Sequence, residues 1–210
     1  MGYPMKRVIE VTGVAGVGKS YIIDKLVKNS DNIVLDIEII EKYNLNDFYL
    51  FYLFFKVKNS FKILKLIIKI AYELNMPLYN RVNFVRNSIK KVAKEYFLTH
   101  IYNEDRIVLV DEGISHLYQN IITTNRQNNP YILSLVNQII SNMRLSLEVV
   151  IVDASSDIII KRLHQRGHGR VKNLEEIKTF VKQSKQNLIE MKKRFINSIE
   201  ISNEKSIDEV

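Results

Sequence analysis

The sequence contains no cysteine and no tryptophan, and only 3 of its 210 residues are proline. The absence of cysteine excludes a disulfide framework, a thiolate metal site and a cysteine nucleophile. Residues 1–19 lack an apolar core followed by a small-residue cleavage site, so no signal peptide is predicted and we expect a cytoplasmic protein. Long apolar runs are missing too. Residues 48–55 form a run of only eight uncharged side chains, whereas a bilayer-spanning helix needs about 20, so we expect no stable membrane insertion.

What is present is a globular composition with an excess of positive charge: 46% of residues are apolar, 26% are charged, and the net charge is +8. We predict a single domain over residues 1–210. Residues 161–194 contain 11 basic and 3 acidic side chains, a local excess of 8 that equals the net charge of the chain. This segment indicates either a phosphate-binding face or a solvated basic helix, and for the lysines after residue 172 we favour the solvated helix.

Five short apolar runs alternate with helical patterns, which predicts an α/β fold with a parallel sheet covered by helices on both faces. The predicted strands are residues 7–11, 32–37, 107–110, 148–152 and 198–201. The predicted helices are residues 19–28, 80–96, 114–123, 131–143, 156–166 and 174–197.

Residues 47–74 are unusually aromatic, and lysines interrupt the second half of this segment. The spacing of Phe61, Leu64 and Ile68 predicts an amphipathic helix, so we expect a helical insertion at about residues 45–75. Packing on the sheet is the simplest role for it. A wall of an acceptor pocket, a subunit interface and a basic face on a membrane surface remain open.

The most specific motif is an eight-residue glycine loop that follows the first predicted strand and precedes the first predicted helix. It matches G-x-x-x-x-G-K-[ST], a pattern whose backbone amides cradle a polyphosphate. In this interpretation Lys19 reaches the β- and γ-phosphates and the Ser20 hydroxyl ligates Mg²⁺. The predicted nucleotide-binding residues are Gly13, Val14, Ala15, Gly16, Val17, Gly18, Lys19, Ser20 and Tyr21.

A second motif ends the third predicted strand, where Asp111, Glu112 and Gly113 follow the apolar residues 107–110. Open parallel sheets bind their ligands at the carboxyl ends of the strands, so Asp111 is predicted to orient Mg²⁺ directly or through water. Three roles are open for Glu112: polarising an attacking water, binding a substrate hydroxyl, or capping the following helix.

A third group consists of Arg162, Arg166 and Arg170, within a predicted lid at about residues 161–172. Arg162 and Arg166 are four apart and share a helix face, and the glycines that follow allow Arg170 to fold back. Guanidinium groups in this arrangement suit a lid that closes over phosphates. His164 and His168 are interpreted as surface histidines and not as a metal pair.

Together these motifs resemble the thymidylate kinase and nucleotide kinase group of P-loop kinases, over nearly the whole chain. The resemblance implies a three-layer sandwich with strand order 2-3-1-4-5, phosphoryl transfer from ATP·Mg²⁺, and a transition-state role for Arg162 or Arg166. It also implies an acceptor phosphate held by Arg86, in the sequence Phe84-Val85-Arg86-Asn87, and contact between adenine and the loop after the last strand.

Two departures from that group concern the acceptor. Glu112 stands where thymidylate kinases have an arginine that holds the acceptor phosphate, and a carboxylate there would repel a monophosphate. The acidic-proline segment after the second strand is missing, which leaves Asp36 or Glu38 as the candidate base for a hydroxyl proton.

The leading hypothesis is therefore an ATP-dependent kinase of a nucleotide, nucleoside or other small molecule, with the acceptor unidentified. A P-loop ATPase or nucleotide-dependent switch is the alternative favoured by the Asp111-Glu112 pair. A nucleic-acid end kinase is compatible with the positive charge, although no RNA-binding module supports it. A homodimer remains open.

Overall fold

A computed structural model describes residues 7–121, 129–143, 148–167, 171 and 173–204. Its centre is a five-stranded parallel sheet in the order β2-β3-β1-β4-β5, as predicted. The strands are β1 (Arg7–Gly13), β2 (Ile33–Leu35), β3 (Ile107–Asp111), β4 (Glu148–Asp153) and β5 (Ile199–Ser202). In register, Val11 of β1 lies between Asp111 of β3 and Val150 of β4, so β1 extends two residues beyond the end of β3.

Helices surround this sheet and complete the three-layer α/β architecture. The α-helices are α1 (Lys19–Lys28), α2 (Asp36–Lys42), α3 (Asp47–Lys56), α4 (Ser60–Glu73), α5 (Leu78–Tyr96), α6 (Leu117–Asn120), α7 (Pro130–Met143), α8 (Ser156–Arg166) and α9 (Leu174–Arg194). A π-helical turn at Phe97–Ile101 extends α5, and a 3₁₀ turn at Ile114–His116 precedes α6. The central strands are buried, with Val108, Val110 and Ile151 wholly shielded from solvent, as expected for a sheet covered on both faces.

Several predicted boundaries were wrong by one to three residues, and one predicted helix is in part a 3₁₀ turn. The strand expected at residues 32–37 ends at Leu35, because Asp36 and Glu38 begin a helix in which acidic side chains favour the positive end. The helix expected at residues 114–123 is a 3₁₀ turn followed by the short α6, and residues 122 and 123 lie outside the described part. The last helix ends at Arg194 and not at residue 197. Its final turn carries three basic residues, as helix C-termini favour.

The aromatic segment forms two helices, α3 and α4, separated by a short turn. The buried side of α4, with Ile63, Ile67 and Ile70, packs against α7 and α5, and α3 packs against α5. Within the described residues no helix is both long and apolar enough to cross a membrane.

Candidate active site

The glycine loop at residues 13–20 connects the carboxyl end of β1 to the start of α1. Gly18 has a φ of 93°, a conformation that other residues disfavour, and a Cβ at this position would lie 2.3 Å from Asn203 Nδ2. Val14 and Val17 are fully buried and anchor the loop in the core. Since Lys19 and Ser20 are the first residues of α1, the loop meets the positive end of a helix, which favours an anionic ligand.

Two side chains from distant parts of the chain support this loop. The carbonyl oxygen of Val17 accepts hydrogen bonds from Arg162 Nη1 at 3.0 Å and from Asn203 Nδ2 at 2.9 Å. Arg162 Nη2 also donates to the carbonyl oxygen of Asn203 at 3.3 Å. The guanidinium of Arg162 therefore links α8, the glycine loop and the residue that follows β5.

A cavity of about 580 Å³ lies between the glycine loop and α8. Arg166 lines it together with Gly16, Gly18, Tyr21, Arg162, Gln165 and Asn203. Two guanidinium groups and a glycine loop at one cavity suit a ligand that combines a flat base with phosphates. Arg170 and His168 lie outside the described residues.

Lys19 lies where the charged groups of the site converge. Its ammonium donates to the carbonyl oxygen of Gly13 at 3.3 Å. Burial lowers its pKa below the usual value, and Arg166 acts in the same direction, while Asp111 and Glu112 oppose the shift. The carboxyl end of β3, the start of α1 and the end of α8 thus bring Lys19, Asp111, Glu112 and Arg166 within electrostatic reach of one another.

A second cavity, of about 470 Å³, lies beside the start of α1 and the carboxyl end of β3. Ser20 and Asp111 both line it. Asp111 Oδ1 is buried without a hydrogen-bond partner in the described structure, and burial raises the pKa of this carboxyl while Lys19 opposes the shift. A hydroxyl and a buried carboxylate oxygen in one cavity fit Mg²⁺, which binds few protein oxygens and completes its shell with water and phosphate. No cluster of three or more His, Asp or Glu side chains suited to a metal occurs among the described residues.

Glu112 has a strained backbone at the rim of the second cavity. Its φ of 55° is left-handed, which costs a non-glycine residue roughly 1–2 kcal/mol. Its side chain is 56% exposed, and Oε1 lies 3.8 Å from His116 Nε2. The Lys91 ammonium donates to its carbonyl oxygen. The carboxylate caps no helix, since Gly113 occupies the cap position of the following turn.

The structure places one of the three candidate acceptor residues in the lining of the second cavity and the other two outside it. Asp36 is buried in the second cavity, where it forms an ion pair with Lys94 and accepts a hydrogen bond from the backbone N–H of Asp111 at 3.4 Å. Glu38 is exposed on α2 and does not line that cavity. Arg86 is also outside the lining, and its Nε donates to Asp47 of α3 at 2.8 Å.

A buried polar cluster beneath the second cavity was not predicted from the sequence. Glu10 of β1 is fully buried and accepts hydrogen bonds from Ser115 N at 3.1 Å and Ser115 Oγ at 2.6 Å. Glu95 of α5 is also buried, and neither of its carboxyl oxygens has a hydrogen-bond partner in the described structure. Burial raises the pKa of both acids, that of Glu95 to about 8. The available signal was Glu10 itself, an isolated acid within the apolar strand.

Many of the basic residues after residue 172 are neutralised by nearby acids. Lys178 pairs with Glu175 at 2.7 Å, and Lys193 pairs with Glu190 at 2.6 Å. Lys192 pairs with Glu200 at 2.7 Å across to β5. These contacts agree with a solvated helix surface better than with a phosphate-binding face.

No protein-family profile matches the sequence, and no curated protein sequence matches it. Among solved structures the chain is similar to thymidylate kinase from Candida albicans, with a TM-score of 0.53 and 13% sequence identity. The similarity covers 97% of this chain and 87% of that chain. At this identity the likeness concerns the fold and not the activity. Strand order, glycine loop and structural similarity agree, and the chain therefore has a thymidylate kinase-like P-loop fold.

Proposed function

We propose that this protein is an ATP-dependent phosphotransferase whose acceptor is a small molecule that carries a hydroxyl group and no phosphate. The observation that carries the proposal is that two cavities flank the segment Gly18-Lys19-Ser20, since Gly18 lines one of them and Ser20 lines the other. One cavity is lined by the glycine loop and the arginines of α8, and the other by Ser20, Asp111 and Glu112. A donor on one side and an acceptor on the other would meet at these residues.

The donor half follows from the glycine loop. The adenosine of ATP would occupy the cavity beside Arg162 and Asn203, with the phosphates on the loop amides and Lys19. Mg²⁺, held by Ser20 with Asp111 directly or through water, would neutralise phosphate charge. In this proposal Arg166 stabilises charge on the transferring group from the α8 side, whereas Arg162 supports the loop through Val17.

The acceptor half follows from the charge and polarity of the second cavity. Four of its lining residues are acidic, namely Asp24, Asp36, Asp111 and Glu112. Lys94, the one basic side chain among the described residues that line it, is already paired with Asp36, just as Asp24 is paired with Lys28. Arg86, the cation expected to hold a phosphate, is outside this lining and bound to Asp47. A monophosphate would meet net repulsion there, while a hydroxyl could donate to a carboxylate.

The remaining lining residues favour an acceptor with an apolar body. They are aliphatic side chains of α1, β2 and α2: Ile23, Val27, Leu35, Ile37 and Ile40. In this proposal the Glu112 carboxylate accepts the hydroxyl proton or orients the hydroxyl, and Asp36 positions the end of β3 through its bond from Asp111 N. Positioning and charge neutralisation supply the catalysis.

The test is a transfer assay with ATP and Mg²⁺ over paired acceptors, each offered as the free alcohol and as its monophosphate. We expect transfer to alcohols only. We expect Lys19→Ala to abolish turnover without unfolding the chain, because it removes the cation aimed at the γ-phosphate. Lys28→Ala is the matched control, since Lys28 lies on the same helix but is exposed and paired with Asp24 at 2.8 Å. Turnover in the Lys19 variant equal to wild type would refute the proposal.

A second candidate function is an ATPase or nucleotide-dependent switch. The observation that favours it is the exposed Glu112 carboxylate next to Asp111, which could orient a water in place of an acceptor. Hydrolysis that no acceptor stimulates, and that Glu112→Gln eliminates, would favour this function over phosphotransfer.

A further inference from the structure

Helices α3 and α4 expose a continuous band of aromatic side chains that neither cavity uses. On α3, Phe48 is 88% exposed, and Phe51, Tyr52 and Phe55 follow it at helical spacing. The ring of Phe55 lies 5.8 Å from that of Phe61, which continues the band onto α4 with 70% exposure. We call this surface the aromatic face; its members are Phe48, Phe51, Tyr52, Phe55, Phe61, Ile68 and Tyr72.

Packing within the chain does not account for this surface. The opposite sides of both helices already supply the core, through Leu50, Leu53 and Phe54 on α3 and Ile63 and Ile67 on α4. Contiguous exposed apolar patches in a folded protein mark sites where another surface docks. The aromatic face is therefore available for a partner outside the chain.

The charges around the aromatic face favour an anionic partner. Five exposed lysines lie within or directly beside it: Lys56, Lys58, Lys62, Lys65 and Lys69. The acids of the same two helices are Asp47 and Glu73, and Asp47 is neutralised by Arg86 and Lys90. Apolar rings combined with lysines complement a membrane surface that carries anionic lipids, where the rings enter the headgroup region and the ammonium groups contact phosphates.

Two other occupants fit less well. A symmetric contact between two copies would place the lysine-rich surface of one copy against that of the other, which like-charge repulsion opposes. Single-stranded nucleic acid uses aromatic rings as stacking platforms. Ile68, which is 39% exposed within the aromatic face, has no ring on which a base could stack. Aliphatic side chains of this kind partition into lipid.

We propose that the aromatic face docks this protein peripherally on anionic lipid membranes. Docking requires no membrane-spanning helix and leaves the fold intact, because the residues involved already face solvent. The proposal is independent of the phosphotransfer activity.

Cosedimentation of the full chain with lipid vesicles tests it. We expect binding to vesicles of phosphatidylcholine mixed with phosphatidylserine, weaker binding at high salt, and little binding to phosphatidylcholine alone. The combined substitutions Phe48→Ser, Phe55→Ser and Phe61→Ser should weaken the partition coefficient about tenfold or more. Lys62→Gln, Lys65→Gln and Lys69→Gln should each weaken it about fivefold, since each lysine near an anionic surface contributes about that factor.

The matched controls lie elsewhere on the chain. Ile189→Ser with Ile196→Ser removes two exposed aliphatic side chains at α9, and Lys178→Gln with Lys193→Gln removes two exposed lysines of that helix. These variants should bind vesicles as wild type does, and circular dichroism should show all variants folded. Absence of cosedimentation, or equal binding by the triple serine variant, would overturn the proposal. Two other results would also overturn it if anionic vesicles do not bind. One is a dimer that dissociates in the triple serine variant, and the other is an oligonucleotide that binds the aromatic face.

Discussion

The buried carboxyl group of Glu95 makes the stability of this protein depend on pH in a direction opposite to that of most acids. Glu95 is 1% exposed, and neither carboxyl oxygen has a partner in the described structure. Burial raises its pKa from 4.5 to about 8; the carboxyl groups of Glu10 and Asp36 add to the shift, and Lys94 opposes it. The folded protein therefore keeps this proton at pH values where the unfolded chain loses it.

The magnitude follows from linkage. Below pH 4.5 Glu95 is protonated in both states and its ionisation contributes nothing to the free energy of unfolding. Between pH 4.5 and about 8 Glu95 ionises only in the unfolded chain, so the free energy of unfolding falls by about 1.4 kcal/mol per pH unit. The total loss reaches about 5 kcal/mol near pH 8, as an upper limit, because water entry on ionisation would lower it. That is a large part of the 5–15 kcal/mol typical of a domain.

Replacement of Glu95 by glutamine removes the titrating proton at nearly the same volume. The unfolding free energy of Glu95→Gln should be close to that of wild type at about pH 5 and should exceed it increasingly up to pH 8. Denaturant unfolding followed by circular dichroism over this pH range measures the difference. Burial lowers the pKa of Lys91 to about 8, so Lys91 also titrates above this range and the comparison ends at pH 8.

Glu148→Gln is a control of the opposite sign. A hydrogen bond from Arg7 holds the pKa of Glu148 below its usual value, so this variant should be slightly less stable than wild type at neutral pH, and the difference should disappear in acid, where the wild-type carboxylate is protonated. If the unfolding curves of Glu95→Gln and wild type run parallel from pH 5 to 8, the argument for a buried neutral Glu95 is refuted.

Four further predictions concern the candidate site. Asp111→Asn should weaken Mg²⁺-dependent transfer more than Mg²⁺-free nucleotide binding, as calorimetry with and without Mg²⁺ would show; equal losses would indicate a structural role. Arg166→Ala should lower kcat about 10³-fold with little effect on ATP affinity. Arg162→Ala should instead lower the melting temperature and ATP affinity, because Val17 loses a hydrogen-bond donor, and identical kinetic profiles would contradict this division. Glu112→Gly should raise stability by about 1 kcal/mol by relieving the left-handed φ, yet reduce transfer; a loss of stability would remove the argument from strain.

The fold could be predicted because its signals are local. Buried parallel strands appear as short apolar runs, and the glycine loop identifies the junction of β1 and α1 from eight consecutive residues. The error at residues 36 and 37 has the same origin, since Ile33 to Ile37 has an apolar pattern that a strand and a helix start share. The choice between them depends on Asp36, which is buried against Lys94, 58 positions away.

The composition of the site was less predictable because its partners are distant in sequence. Arg86 matched a motif for an acceptor phosphate, but the structure pairs it with Asp47 of α3, 39 positions earlier. Arg162 matched a lid residue, and it bonds to the glycine loop 145 positions away. A motif predicts which type of side chain is present and near which edge of the sheet it lies. The group it contacts is decided by tertiary packing, which no local pattern contains.

At the end of β3, a buried carboxyl group packs close to the residue that carries an exposed carboxylate. Glu10 lies in the middle of β1, where an apolar side chain would avoid the cost of burying an acid. Its carboxyl group receives the backbone and hydroxyl hydrogen bonds of Ser115 and leaves so little room that a Cβ on Gly113 would lie 2.6 Å from its carboxyl carbon. These contacts help to hold Gly113 and Ser115 in place at the turn that follows Asp111. Glu112 takes the left-handed conformation that this turn requires. The buried carboxyl group of Glu10 thus packs against the segment that directly follows the left-handed Glu112, whose carboxylate lies at the rim of the second cavity.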